Sequence, residues 1–202
     1  KLNIYGVVDG ATSIIPYRSL KGETGGRVAS QLIKNFFEGL TKITDTSLEN
    51  LLQQANKLIC EKMLEEGIDI SKKENVWASS VAITKINETN IEYIQVGDCM
   101  IVAIYQDGTH RVLTKDSIGY FDNVIRRHWI EAIQKGLKTQ KEIRQAVTPI
   151  IRKNKKKMNK MNGYSVIDGS DEANLFIESG KINRMQLAEL LIFTDGLFMH
   201  ED

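Results

Sequence analysis

Residues 76–113 read VWASSVAITKINETNIEYIQVGDCMIVAIYQDGTHRVL, and this stretch decides the fold. From Val76 to Ile86 β-branched side chains dominate, Asn87 to Asn90 supplies turn chemistry, and Ile91 to Val96 resumes the extended pattern. Met100 to Tyr105 forms a further strand pattern, Asp107-Gly108 turns the chain, and Arg111-Val112-Leu113 returns. Three consecutive hairpin-linked strands predict antiparallel sheet.

Upstream, Leu2 to Val8 reads as a strand running into Asp9-Gly10, and a loop rich in Gly, Ser and Thr follows through Gly26. Val28, Ala29, Leu32, Ile33, Phe36, Phe37 and Leu40 then recur at helical spacing, with Gly39 weakening the end. Thr46-x-x-Glu49 has the form of a capping box, opening a second apolar-faced helix from Leu48 to Met63 with Gly67 as its stop. Downstream, helical pattern returns from Val124 to Ile133, and the box Thr139-x-x-Glu142 opens another helix that Pro149 is expected to bend or interrupt. Tyr164 to Ile167, Ala173 to Ile177 and Leu190 to Phe193 read as short strands. Helices arrive in blocks between hairpins, without regular strand–helix alternation. The expected architecture is therefore α+β, a β-sandwich of two antiparallel sheets flanked by helices, rather than a doubly wound parallel sheet. No internal repeat or independent linker divides the chain, so residues 1–202 read as one domain.

Composition narrows the function. The chain has 202 residues, with 27 Lys and Arg against 26 Asp and Glu, a net charge of +1. That balance removes the electrostatic argument for nucleic acid or a membrane surface as principal partner. No apolar run approaches the length of a membrane span. Two cysteines, Cys60 and Cys99, cannot build a disulfide framework, which favours a reducing, cytoplasmic compartment.

Chemistry gathers where apolar strands finish. Tyr5-Gly6-Val7-Val8-Asp9-Gly10 and Leu191-Ile192-Phe193-Thr194-Asp195-Gly196 each fix a carboxylate on a strand and follow it with a glycine, and Val96-Gly97-Asp98 is a third such point. The glycine permits an open backbone whose carbonyl can also serve a metal or its water. Hard oxygen ligands of this kind suit Mg²⁺ or Mn²⁺ rather than zinc. Two such ions can generate hydroxide and hold a phosphoryl group for in-line attack. An Asp-Gly pair by itself is also ordinary turn chemistry.

The ordered set Tyr5 to Thr12, Ala78 to Ile83, Ile94 to Cys99, Asp107-Gly108 with Val112-Leu113-Thr114, Gly163 to Ile167 and Leu191 to Gly196 resembles the metal-dependent protein phosphatases. It looks most like the short bacterial members of that magnesium- and manganese-dependent serine/threonine family. The resemblance implies a sandwich with two metal ions at one edge and a third, weaker site in some members. It implies that Asp9 bridges the two metals, that the Gly10 carbonyl binds one of them, and that Asp195 ligates from the opposite sheet. Asp98 corresponds to an acidic position near the third site. The implied reaction is hydrolysis of phosphoserine or phosphothreonine in a protein substrate by metal-activated water, without a phosphoenzyme.

The chain also departs from the family pattern. Asp9-Gly10-Ala11-Thr12-Ser13 stands where many members have Asp-Gly-His-Gly-Gly. An acidic segment and a phosphate-gripping arginine are expected before Lys1, and a further acidic ligand element after Asp202. These departures keep a second reading open, a catalytically inactive, phosphatase-like protein-binding module.

The remaining candidates read as structural. His110 and His128 have no zinc spacing, and His200 lies five residues beyond Asp195. Ser79 and Ser80 lack a nucleophile elbow. Gly22 to Gly26 is only superficially an anion loop. Arg152 to Lys160 carries six positive charges and no acid, and is expected to be a solvated helix end or loop.

Overall fold

The computed structural model describes residues 2–11, 13–41 and 46–197. Strand β1 (Ile4–Gly10) leads through a loop to helices α1 (Gly25–Glu38) and α2 (Leu48–Glu65). Strands β2 (Ser79–Ile86), β3 (Asn90–Val96), β4 (Met100–Tyr105) and β5 (His110–Val112) follow. Helices α3 (Gly119–Gln134), α4 (Gln140–Lys155) and the short α5 (Asp171–Asn174) precede β6 (Glu178–Asn183) and β7 (Leu187–Phe193), and a 3₁₀ turn covers Asp195–Leu197.

The strands form two antiparallel sheets, one in the order β1-β2-β3-β6 and the other β5-β4-β7. The period of two along β2 shows how they are packed. Val81 and Ile83 face the main core with α1 and α2, whose Ala29, Ile33, Leu52, Ala55 and Ile59 are fully buried. Between them, Ala82 faces the second sheet and meets Cys99 and Ile101, with Val7, Tyr93, Leu190 and Ile192 packed around them. A second patch of inter-sheet core joins Ile91, Ala103 and Ile182. The sandwich expected from the sequence is present, with α1 and α2 on the outer face of the four-stranded sheet and α3 packed on α4. Among the described residues no helix is long and apolar enough to cross a membrane.

Several local expectations are corrected. The strands from β2 to β5 do not lie in one sheet: the β2–β3 hairpin ends at Val96, and the chain crosses at Gly97-Asp98 to begin the other sheet with β4. Gly97 makes that crossing with φ +90°, a backbone region that L side chains rarely adopt. The second helix is capped one residue later than Thr46, by Ser47, whose hydroxyl accepts from the Asn50 amide at 3.2 Å. Ala173–Ile177 is not a strand. Its first residues belong to α5, and the strand lies at Glu178–Asn183, where only Ile182 is buried. A polar edge strand of this kind gives no apolar alternation to read. Tyr164 and Ile167 make only isolated bridges, to Met158 and Ser79. Helix α4 runs through Pro149 without a break, behind the expected Thr139–Glu142 capping box.

The basic run is the largest correction. Arg152 pairs with Glu74 at 3.0 Å, and the Lys157 ammonium lies 5.4 Å from the Phe121 ring centroid. Lys155 is only 6% exposed and donates from Nζ to the Val76 carbonyl at 3.0 Å. Half of the run therefore fastens α4 to the body of the protein, while Lys153, Lys156 and Lys160 face solvent.

Candidate metal centre

Asp9 stands on β1 opposite Ser80, at an end of the strand that is held tightly. The Ser79 hydroxyl donates to the Asp9 carbonyl at 2.5 Å, and the Ala11 amide donates to the Ala78 carbonyl at 2.9 Å. The N-terminus of α1 presses against this turn. A methyl group built on Gly10 would overlap the Gly26 carbonyl, and one on Gly26 would overlap the Ala11 carbonyl. Of the Gly-x-x-Gly-Gly segment, Gly26 thus serves close backbone packing behind Asp9, while Gly25 packs on Trp77.

Asp195 follows β7, in the other sheet, and its carboxyl lies close enough to that of Asp9 to raise it. Asp98 sits on the crossing between the sheets, 9% exposed, with the Ser80 hydroxyl bonded to its carboxylate and Oδ1 buried without a partner. Asp9, Gly10, Asp98 and Asp195 line one cleft of about 480 Å³, whose walls come from α3 and α4. A larger groove of about 1190 Å³ runs along β1 beside α1 and Ile192 and contains none of the three aspartates. Chemistry, not size, picks the smaller one.

The electrostatics follow from crowding acids in a half-buried place. Burial, then the hydrogen bond and charge of Asp195, then the charge of Asp98, raise the Asp9 carboxyl to about 6. Burial also raises Asp98 to about 6, opposed by the Ser80 hydrogen bond and reinforced by the charges of Asp195 and Asp116. Two carboxylates in contact need a proton or a cation between them. A divalent ion fits better than a shared proton here, because Asp98 adds a third negative group and an orphaned acceptor oxygen. All the donors are hard oxygens. Cys99, beside them in sequence, is fully buried, and burial followed by the charge of Asp98 pushes its thiol up, away from the thiolate a soft metal needs. Among the described residues no three His, Cys, Asp or Glu side chains close on a single point. Asp98 is accordingly an outlying carboxylate beside the Asp9–Asp195 pair.

Reading the sequence did not find the residues that set Asp98. The Gly97 carbonyl accepts from Gln95 Nε2 at 2.7 Å and from Ser117 Oγ at 3.1 Å, and the Gly97 amide donates to Ser165 Oγ at 3.1 Å. Ser117 and Ser165 also share a hydrogen bond of 3.1 Å. They are loop serines 48 positions apart, and no spacing signal links them. His110 stands exposed on β5, and His128 places Nδ1 against the Val124 carbonyl of its own helix; neither lines the cleft. His200 lies outside the described residues, as does Thr12.

Residues 2–201 match the family model of protein phosphatase 2C. The chain belongs to that family. It is a serine/threonine protein phosphatase, a hydrolase that depends on divalent metal and acts on phosphoproteins. Solved structures share the phosphatase fold at low identity. The catalytic domain of the serine/threonine protein phosphatase PstP, in complex with two manganese ions, aligns with a TM-score of 0.53 at 13% identity, over 96% of this chain and 78% of that one. Stp1 from Staphylococcus aureus aligns with 0.52 at 14% identity, over 98% and 77%. PppA, a regulatory component of T6SS in Pseudomonas aeruginosa, gives 0.52 at 14% identity, over 90% and 61%. No curated protein matches the sequence.

Proposed function

We propose that residues 1–202 act as a single phosphatase-like domain in which Asp9, the Gly10 carbonyl and Asp195 hold two Mg²⁺ or Mn²⁺ ions, with Asp98 serving a third, weaker site. The observation that carries this reading is the meeting of Asp9 and Asp195, which arrive from different sheets and line one cleft, the second raising the carboxyl of the first. Divalent ions bound there supply a Lewis acid that lowers the pKa of water and neutralises phosphoryl oxygens. The chain's own part is orientation. Asp9 is fixed by Ser79 and by the Gly10–Gly26 contact, and Asp98 by Ser80 and the bonds around Gly97. Helices α3 and α4 wall the cleft and limit access of bulk water to a phosphorylated serine or threonine entering it.

The substrate is a phosphorylated protein rather than nucleic acid or membrane, in keeping with a net charge of +1. A bacterial cytoplasm suits two free cysteines and the bacterial sources of Stp1 and PppA. The test is hydrolysis of a phosphothreonine peptide and an aryl phosphate by the full-length protein with Mn²⁺, with Mg²⁺ and with EDTA. Turnover that requires the metal and is lost in Asp9→Asn and Asp195→Asn is expected. Turnover that survives both substitutions and chelation would overturn the assignment.

A further inference from the structure

The near-neutral charge of the chain conceals a division. Between Gly119 and Lys160, which spans α3 and α4, twelve lysines and arginines stand against three acids. The remainder carries fifteen against twenty-three, a net charge of −8. The basic segment is also the part that walls the cleft above Asp9 and Asp195. Positive charge is thus concentrated on the helices that wall the site, where Arg144 and Lys155 reach the cleft among mainly apolar lining and Asp122, on a body that is otherwise negative.

The direction of α4 gives that charge a geometry. Its C-terminal end is anchored next to the carboxylates, because Lys155 bonds the Val76 carbonyl and Ala78, two residues on, accepts from the amide of Ala11. At this end Asn154 lines the cleft, is 8% exposed, and has its Nδ2 donor buried without a partner. Arg144 lines the same cleft ten residues earlier, exposed, and Lys141 lies three residues before it on the same helical face. Ten residues of α-helix span about 15 Å. An extended peptide covers that distance in about four or five residues.

We propose that the wall built by α4 is a docking surface for an acidic segment of the phosphoprotein substrate, with Asn154 donating to the group nearest the carboxylates and Lys141 and Arg144 receiving negative side chains about four or five residues away. This rests on the phosphatase reading and adds the substrate class to it. Charge complementarity selects the occupant, and the distribution of the remaining charge excludes a long polyanion. A nucleic acid strand leaving the cleft would run over a body of net charge −8, whereas a short acidic peptide segment ends on α4, against Arg144 and Lys141.

The experiment compares two labelled phosphothreonine peptides, one with glutamates four and five residues from the phosphothreonine on either side, the other with glutamines there. With Mn²⁺ and low salt, kcat/KM should be about tenfold higher for the acidic peptide, and the ratio should approach one near 0.5 M salt as screening shortens the Debye length. The double variant Lys141→Glu/Arg144→Glu should abolish or reverse the ratio. Lys141→Glu places an acid in the first turn of α4, where it is tolerated, and Arg144 is exposed one turn on. Lys34→Glu on α1, outside this cleft, should leave the ratio as it is. Equal kcat/KM for the two peptides, a preference that persists in the double variant, or tighter competition by a single-stranded oligonucleotide would each overturn the proposal. Anisotropy of the labelled peptides in EDTA reads the surface without turnover. If no phosphopeptide is hydrolysed, the phosphatase reading fails alone, and the presence or absence of a Glu-over-Gln binding difference still decides the docking surface.

Discussion

Asp9 and Asp168 look alike in the sequence. Each follows an apolar run and precedes a glycine, in Val7-Val8-Asp9-Gly10 and Val166-Ile167-Asp168-Gly169. Their surroundings differ entirely. Asp168 is 1% exposed and saturated: Lys73 Nζ reaches Oδ2 at 3.0 Å, while the Ser170 amide and hydroxyl reach Oδ1 at 3.1 and 2.5 Å. Asn56 of α2 then clamps the same turn, accepting from the Gly169 amide at 2.7 Å and donating to the Ser170 carbonyl at 2.8 Å. Among the described residues, Asp9 meets another carboxyl and forms no ion pair with a cationic side chain. A buried acid given a counter-ion and full donors is a latch, and a buried acid facing other acids is a place for a metal. The distinction lies in partners, not in the motif.

The two aspartates should therefore fail in opposite ways, and this is the largest effect expected. Asp9→Asn should lower kcat by about a thousandfold or more, because the proposed metal ligand is lost from the reacting centre. Its urea midpoint without metal should be unchanged or slightly higher, since repulsion from Asp195 and Asp98 falls. Asp168→Asn should do the reverse. Leaving Lys73 without its partner should cost about 3 kcal/mol, the low end for a broken buried pair because Lys73 is partly hydrated, while kcat of the folded fraction stays within a few-fold. Equal losses of activity in the two variants would erase the distinction.

A smaller effect tests how the rim is built. Gly26→Ala places a methyl group against the backbone of Gly10 and Ala11, where no flexible side chain can give way. Overpacking of this kind costs about 1–3 kcal/mol. Because the displaced turn carries Asp9, the variant should also need more Mn²⁺ for half-maximal activity, whereas Gly67→Ala should affect stability alone. Gly67 ends α2 far from the site, with φ +70° and open space around it. Equal metal requirement in Gly26→Ala and the parent would remove the glycine contact from the design of the site.

These contrasts show which features could be read before the structure. Apolar strands with period two, the Thr139–Glu142 box and the paired Asp-Gly ends of β1 and β7 are local signals, each carried within a few residues. Together they point to the sandwich and to Asp9 and Asp195, and Val96-Gly97-Asp98 adds the third aspartate. Strand β6 escaped because an edge strand with one buried residue needs no alternation. Ser117 and Ser165 escaped because their partnership at Gly97 spans 48 positions and exists only after the sheets are assembled. Gly26 reads only as part of a weak anion loop, since its close packing against Gly10 is a tertiary fact. Lys155 misled for the same reason: a run of lysines reads as solvated until a carbonyl is found for one of them.

That lysine supplies the smallest effect and the finest test of the latch side of the comparison. Burial holds the Lys155 amine down at about 8 against an ordinary 10.5, with Asp168 raising it and Lys73 lowering it further. Below the folded value the ammonium is present in both states, and its desolvation is a constant cost to folding. Between about 8 and 10.5 the folded protein sheds the proton before the unfolded chain does, so the unfolded state binds more protons and stability rises with pH. Lys155→Met removes this contribution and leaves the Val76 carbonyl unpaired at every pH. The stability of the parent relative to the variant should therefore grow between pH 7.5 and 9.5, by on the order of 1–2 kcal/mol. Urea midpoints of both proteins at the two pH values measure it, and the difference between them cancels other groups that titrate in the same range. A parent-to-variant gap that stays constant would mean that water reaches Nζ, and that the end of α4 beside the carboxylates is not closed by this lysine.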